Sequence, residues 1–414
     1  MKGLRAAAAL LALAAALGAG ACSRREPPAA SMIVLGIDGM DHELTARLME
    51  EGRLPNLKRL AERGFFQPLG TSVPPLSPVA WSNFITGQDP AAHGIYDFMH
   101  RDPDTMLPYL STSQPAGGEM RTLPLGAWQV PLSAGGYELL RRGTPFWEVL
   151  EEAGVETSIL RIPANFPVSG TATREISGMG TPDAVGSYGM FSFFTSELFF
   201  DKRDVAGGEL YELDYWDGVA RGALEGPVNP FRKDGRKAMV PFTLYVDEGQ
   251  AAGKLEIGDS QRLLLVGEWS EWVPFDIQLV PVGMGASLQS VHGMARFYLR
   301  QVTPEVELYV SPINFDPLYG GLPNSHPADY GRELAEATGR YYTQGMPEDT
   351  QAMKGDVLTV EEFLAQARIA GEELERQYEY VLDSFEGGLL FYYFGNLDMV
   401  SHMMWGAMDP ETPQ

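Results

Sequence analysis

Four residues of this 414-residue chain have the type and the setting for chemistry: Asp38, Ser77, Asp398 and His402. Asp38 ends a short apolar run, Met32-Ile-Val-Leu-Gly-Ile37, and Gly39 breaks the run behind it. The run is uncharged and rich in β-branched side chains, which predicts a strand buried on both faces of a parallel sheet. An acid at the carboxyl end of such a strand stands where open α/β sheets bind their ligands. Ser77-Pro78 opens a second stretch that runs to Gly87. It reads as a helix with Ser77 at the N-cap, Pro78 at the first helical position and Gly87 as the stop. A hydroxyl would then sit at the positive end of a helix, where anions bind favourably. Asp398 and His402 follow another uncharged run, Leu389-Leu-Phe-Tyr-Tyr-Phe394. They are four apart, one helical turn, so both can face one ion. Imidazole with carboxylates is a zinc or manganese ligand set. A metal beside Ser77 would lower the pKa of its hydroxyl and make it a nucleophile at neutral pH.

Each residue also has a plainer reading. Ser77 can be a helix cap worth about 1 kcal/mol, Asp38 a turn residue before Gly39, and Asp398 with His402 a surface pair. The recurrence of a carboxylate at two apolar strand exits favours the chemical reading, as do Met403, Met404 and Trp405, which suggest a sheltered site. His93 reads as structural, closing its loop through the ring nitrogens. His42, His100, His292 and His326 read as surface or turn residues, with His326 a candidate for lining a cap.

The elements that would position these residues alternate. Residues 42–63 are amphipathic and broken at Pro55, and 65–69 form a second short apolar run. Residues 101–135 look irregular and Pro/Gly-rich. Residues 145–153 read as a helix with Phe146, Val149 and Leu150 on one face, and 156–162 as the next strand. Strand and helix in this rhythm indicate a parallel sheet with crossover helices. From about 200 to 320 the pattern becomes short alternating runs such as Phe242–Val246 and Val306–Val310, which implies an antiparallel β insertion beside the site. Residues 356–385 return to a long amphipathic helix.

Composition sets the outer bounds. Fifty-five acidic against 31 basic residues give a net charge of −24, which argues against nucleic-acid binding through a basic groove. Lys2, Arg5 and the apolar stretch Ala6–Leu17 read as a signal peptide ending at residue 21. Cys22 is the only cysteine, so no internal disulfide and no cysteine metal site is expected. The run Gly18-Ala-Gly-Ala-Cys22 resembles a bacterial lipobox, with Cys22 acylated and anchoring the chain to a membrane of the cell envelope. The alternative is a plain secretory signal cleaved after Ala21. Residues 22–31 read as a Pro-rich tether.

Three motifs in order resemble the type I phosphodiesterase/nucleotide pyrophosphatase branch of the alkaline phosphatase superfamily. They are Asp38 at the end of the first strand, Ser77 leading to Thr86-Gly87-Gln-Asp-Pro90-Ala-Ala-His93-Gly94, and Asp398-Met-Val-Ser-His402 in place of an Asp-x-x-Gly-His. Phe146–Gly154 also looks like a family segment. The resemblance implies an α/β fold, an alkaline phosphatase-like sandwich with a mostly parallel central sheet flanked by helices and an inserted β-rich cap. On that reading residues 32–200 and 331–414 form the catalytic core, incomplete at the end, and 201–330 the cap. It implies a metal-dependent hydrolase of phosphoric esters that passes through a phosphoseryl intermediate at Ser77. It also implies two divalent ions, zinc first and manganese second, with Asp38, Ser77, Asp398 and His402 among their ligands, and a small phosphorylated substrate.

The chain departs from the family pattern in places. Ala80 stands where nucleotide pyrophosphatases carry an Asn, three residues after the nucleophile. No Asp-His-Gly segment and no later His follow His402, so each metal keeps two of its protein ligands. The expectation is a truncated chain with weak metal binding and little turnover. Other functions stay open: another hydrolase or transferase of the superfamily, or a non-catalytic envelope lipoprotein with a degraded site. A cysteine-dependent sulfatase is disfavoured because Ser77, not Cys, holds the nucleophile position, and a phosphoglycerate mutase by the export signal.

Overall fold

A computed structural model describes residues 31–117, 121–132, 135–197, 205–280 and 290–408. Cys22, the signal segment and nearly all of the tether lie outside the described residues. Among the described residues no helix is long and apolar enough to cross a membrane.

The apolar runs become β1 (Met32–Ile37), β2 (Thr157–Leu160) and β5 (Leu389–Phe394) of one sheet, which the short polar strands β3 (Arg174–Ile176) and β4 (Ser325–His326) complete. Their order is β1-β5-β2-β3-β4. β1, β5, β2 and β3 run parallel, and β4, which carries His326, adds an antiparallel edge. β1 and β5 pair residue for residue, Met32 with Leu389 through Ile37 with Phe394. The helices are α1 (His42–Glu50), α2 (Pro55–Arg63), α3 (Ser77–Thr86), a single turn α4 (Pro90–His93) in the loop expected there, α5 (Phe146–Glu152), α6 (Tyr330–Thr338), α7 (Thr350–Lys354), α8 (Val360–Asp383) and α9 (Asn396–Met408). α8 starts on a capping box, Thr359 with Glu362, which satisfies two amides of the first turn reciprocally.

The period-two alternation of β5 splits its side chains between two helical layers. Leu389, Phe391 and Tyr393 pack with Ile85 and Trp81 of α3 and with Trp147 of α5. Leu390 and Tyr392 pack with Leu334 of α6 and Val381 of α8. The result is a mixed α/β sandwich of helix, mostly parallel sheet and helix, consistent with the alkaline phosphatase-like fold.

The strand-rich region lies between β3 and β4. Four strands, Gly208–Glu212, Phe191–Thr195, Glu307–Val310 and Phe297–Gln301, make one sheet. Five more between Asp214 and Leu265 make an antiparallel meander, and a three-stranded sheet ends at Asn314–Phe315. These sheets share one large apolar core that includes Leu224, Phe242, Leu255 and Phe297.

The structure corrects four expectations. β1 is not buried on both faces: it is the sheet edge, and Ile33 and Leu35 are 45% and 46% exposed. Hydropathy reports that a run is apolar, not whether a helix reaches over it. The run 65–69 forms no strand, and Phe65 and Leu69 are exposed. Residues 101–135 are not simply irregular. They contribute to short two-stranded ladders, Met99–Arg101 with Pro108–Leu110, Ser113–Pro115 with Tyr137–Leu139 and Thr122–Leu125 with Trp128–Pro131. Strands of three or four residues are too short for alternation to stand out against Pro and Gly punctuation. On α5 the fully buried residue is Trp147, while Val149 is exposed.

Candidate active site

The parallel strands all end on one side of the sheet, and the singled-out residues gather there. β1 hands over to Asp38 through one more ladder bond, Asp38 N–H to the Phe394 carbonyl at 3.0 Å. The chain then turns at Gly39 with φ +68°. A Cβ on Gly39 would lie 2.6 Å from Cα of Asp398. Only glycine therefore allows both the left-handed turn and the approach of the two strand exits. Asp38 and Asp398 are brought together across this contact.

Asp38 is well held. Tyr393 Oη donates to its Oδ2 at 2.7 Å, and the Gly39 N–H donates to its Oδ1 at 3.2 Å. Burial raises the pKa of Tyr393 well above the ordinary tyrosine value, and the charge of Asp38 and the bond to it act in the same direction. Tyr393 therefore stays a protonated donor. Asp398 is less well held. His402 Nε2 lies 3.5 Å from its Oδ1, and the imidazole is largely exposed. Burial raises the carboxyl pKa of Asp398, the neighbouring charge of Asp38 raises it further, and His402 pulls it down. The sheltered setting expected for His402 is not found: Trp405 on the same helix is 41% exposed, because α9 lies along the surface beyond the strand ends.

Ser77 is not the N-cap. That position belongs to Leu76, whose carbonyl accepts from the N–H groups of Val79 and Ala80, and Ser77 is the first helical residue. Its hydroxyl caps nothing and has no hydrogen-bond partner among the described residues. The direction of α3 places it. Trp81 meets the rings of Tyr393 and Phe391 at 5.2 and 5.9 Å, and Phe84, almost one turn on, meets Phe391 at 5.7 Å and Phe146 of α5 at 5.5 Å. α3 thus descends β5 as β5 rises, and Ser77, one turn before Trp81, belongs at the strand ends with Asp38 and Asp398. Gly36 permits the close seat of Trp81: a Cβ there would lie 2.7 Å from the indole.

His93 has the structural role expected of it. It is fully buried, its Nδ1 accepts from the Ile95 N–H at 3.1 Å, and its Nε2 lies 2.7 Å from the side-chain amide of Asn83 on α3. Burial lowers its pKa, as does the charge of Arg141, so it stays neutral and ties α4 to α3.

The donor chemistry of Asp38, Asp398, His402 and the Ser77 hydroxyl suits zinc or manganese. Their number falls short. Among the described residues no three His, Cys, Asp or Glu side chains form a group able to hold a metal ion.

Three participants were not visible in the sequence. Tyr393, the donor to Asp38, sits inside an apolar run and reads as core. Arg161 follows β2 at the same end of the sheet in a left-handed conformation, φ +65°. Glu348 is a buried acid whose Oε1 has no partner among the described residues. A basic residue directly after a buried strand is the one signal that could have singled out Arg161. Glu348 lies in a polar loop that looks exposed.

No curated protein and no solved structure matches the chain. Residues 32–230 match the model of the type I phosphodiesterase / nucleotide pyrophosphatase family, a segment that carries Asp38 and Ser77 and stops before Asp398. This match and the mixed α/β sandwich are together consistent with the alkaline phosphatase superfamily.

Proposed function

We propose that the chain hydrolyses phosphoric esters with Ser77 Oγ as nucleophile. The match of residues 32–230 to the phosphodiesterase family model supports the hydrolase class. The observation that carries the finer reading is the uncapped Ser77 hydroxyl on the first turn of α3, at the strand ends that bear Asp38 and Asp398. Oγ attacks phosphorus and the P–O bond to the alcohol breaks. The proton lost by Oγ is balanced by the one the leaving alkoxide takes up. Water then attacks the phosphoseryl ester, restores Ser77 and releases the phosphoryl product. The N-terminal dipole of α3 favours the anionic group through this sequence. Asp38, oriented by Tyr393, and Asp398 with His402 would hold part of the ligand set of a divalent cation, zinc in the first place. When bound, such an ion lowers the hydroxyl pKa and offsets phosphoryl charge.

A second reading, a binding protein with an incomplete centre, is favoured by one finding, the shortfall of donors among the described residues. Turnover separates the two. Wild type supplied with Zn²⁺ or Mn²⁺ is expected to cleave p-nitrophenyl phosphate or bis(p-nitrophenyl) phosphate, slowly because the ligand set is partial. Ser77→Ala is expected to lower the rate by about 10³-fold or more. The acid-quenched Ser77 peptide is expected to carry phosphate. Full activity in Ser77→Ala would sink the nucleophile assignment. Failure of wild type on both esters would favour the binding reading.

A further inference from the structure

Behind Tyr393 lies a small cavity that the mechanism above does not use. It has a volume of about 40 Å³, room for a few water molecules or one small polar group. Its walls come from the ends of two neighbouring strands, Arg161 after β2 and Tyr393 with Asn396 at the end of β5, closed by Glu348 and by Met399 of α9. Met399 adjoins Asp398, so the cavity borders the proposed centre.

Two of these groups are unusual for a protein interior. Glu348 is 95% buried, and its Oε1 has no hydrogen-bond partner among the described residues. A buried polar oxygen left unpaired is costly, and a site of this kind calls for a ligand or a water. Arg161 is buried as well. It donates to Gln377 Oε1 through Nε and Nη2 and to the Tyr342 carbonyl through Nη1, with no carboxylate within ion-pair distance among the described residues. Its left-handed backbone is a costly conformation for a side chain of this size. Both residues line the same cavity, and no hydrogen bond or ion pair joins them among the described residues.

We infer that this cavity is the subsite for a hydroxyl group on the alcohol portion of the phosphoester, which donates to Glu348 and accepts from Arg161. A hydroxyl answers both groups at once, being donor and acceptor together. A second anion would leave Glu348 opposed, and a cation would leave Arg161 opposed. The walls contributed by Met179, Met346 and Met399 suit the carbon that bears the hydroxyl. The substrate class is therefore a phosphoester of a small polyol. This inference rests on the phosphoester reading of the site.

The test compares glycerol 3-phosphate with propyl phosphate, which differ in hydroxyls alone. Binding is measured calorimetrically on the Ser77→Ala protein, and turnover on wild type. Binding of the hydroxylated ester is expected to be at least about tenfold tighter, because a site built to hydrogen-bond a hydroxyl rejects the analogue lacking it. In Glu348→Leu on the same background the ratio is expected to fall to near one, and in Glu348→Gln to an intermediate value, with circular dichroism checking the fold of each variant. Equal binding of the two esters by the Ser77→Ala protein overturns the subsite, and this comparison needs no Glu348 variant. A preference kept in full by a folded Glu348→Leu also overturns it. Preferential binding of the hydroxylated ester without turnover of any ester upholds the subsite and sinks the hydrolase reading. Turnover without preference does the reverse.

Discussion

β1 and β5 lie side by side, run in the same direction and each end in a carboxylate, yet the molecule uses them differently. β5 is buried along almost its whole length, between α3 and α5 on one face and α6 and α8 on the other. β1 is the sheet edge, with Val34 against the α3 layer and Ile33 and Leu35 in contact with solvent. Their exits reverse the contrast. Asp38, at the end of the exposed strand, is pinned by Tyr393 and by its own turn. Asp398, beyond the buried strand, has one long contact with an exposed imidazole. The buried strand supplies the rigidity, and it lends that rigidity to its neighbour's carboxylate through Tyr393. The position of a functional group here depends on what reaches it, not on the burial of the strand that carries it.

Phe391→Ala should have the largest effect on stability. It empties the space among Trp81, Phe84 and Phe391 and should cost about 3–5 kcal/mol, against less than about 1 kcal/mol for Ile33→Ala on the exposed face of β1. Equal costs in chemical denaturation would show that the edge strand is covered in solution. Gly39→Ala comes next, at about 2–4 kcal/mol, because a Cβ must enter a left-handed turn against the backbone of Asp398. This substitution should also separate the two exits and lower any metal affinity, read by titration with Zn²⁺. Tyr393→Phe removes one hydrogen bond to a half-buried carboxylate and should cost about 1–2 kcal/mol. His402→Ala should change stability by less than about 0.5 kcal/mol, since its pair with Asp398 is exposed on the imidazole side. A larger loss for His402→Ala than for Tyr393→Phe would reverse the contrast between the exits.

A further effect, read against pH and not by substitution alone, comes from the acids behind the sheet ends. Burial pushes the Glu348 carboxyl up to about 7, with the charge of Asp398 adding to it, and pushes Asp349 up to about 6. Both values lie above those of the unfolded chain. Between those limits the folded state holds protons the unfolded state has lost. The contribution of these groups is therefore fully present at acid pH and is lost as pH rises through about 6 to 7. Thermal melts across this range should show a shallower decline in Glu348→Gln than in wild type. An unchanged slope would mean that Glu348 does not titrate there.

Much of this architecture was legible in the chain. Uncharged runs of six residues announced β1 and β5, Pro55 and Gly87 marked helix boundaries, and leucines at helical spacing announced α1 and α2. These are local signals, set by backbone sterics and by which side chains avoid water. The separation of 360 positions between Asp38 and Asp398 hides their meeting, which was read from motif order alone. Ser77 was expected at the N-cap position. The geometry of Leu76 frees it, a shift of one residue that sequence rules do not resolve.

The sequence by itself determined the strand and helix segments around the site, the carboxylates at two strand exits and the order of motifs that carries the family resemblance. Only the tertiary structure decided that β1 is an edge, that Tyr393 holds Asp38, that His402 faces solvent and that Arg161 and Glu348 share a cavity. The reason is physical. Propensity and hydropathy act over a few residues, whereas burial, pairing and orphaned polar atoms belong to contacts between segments far apart in the chain.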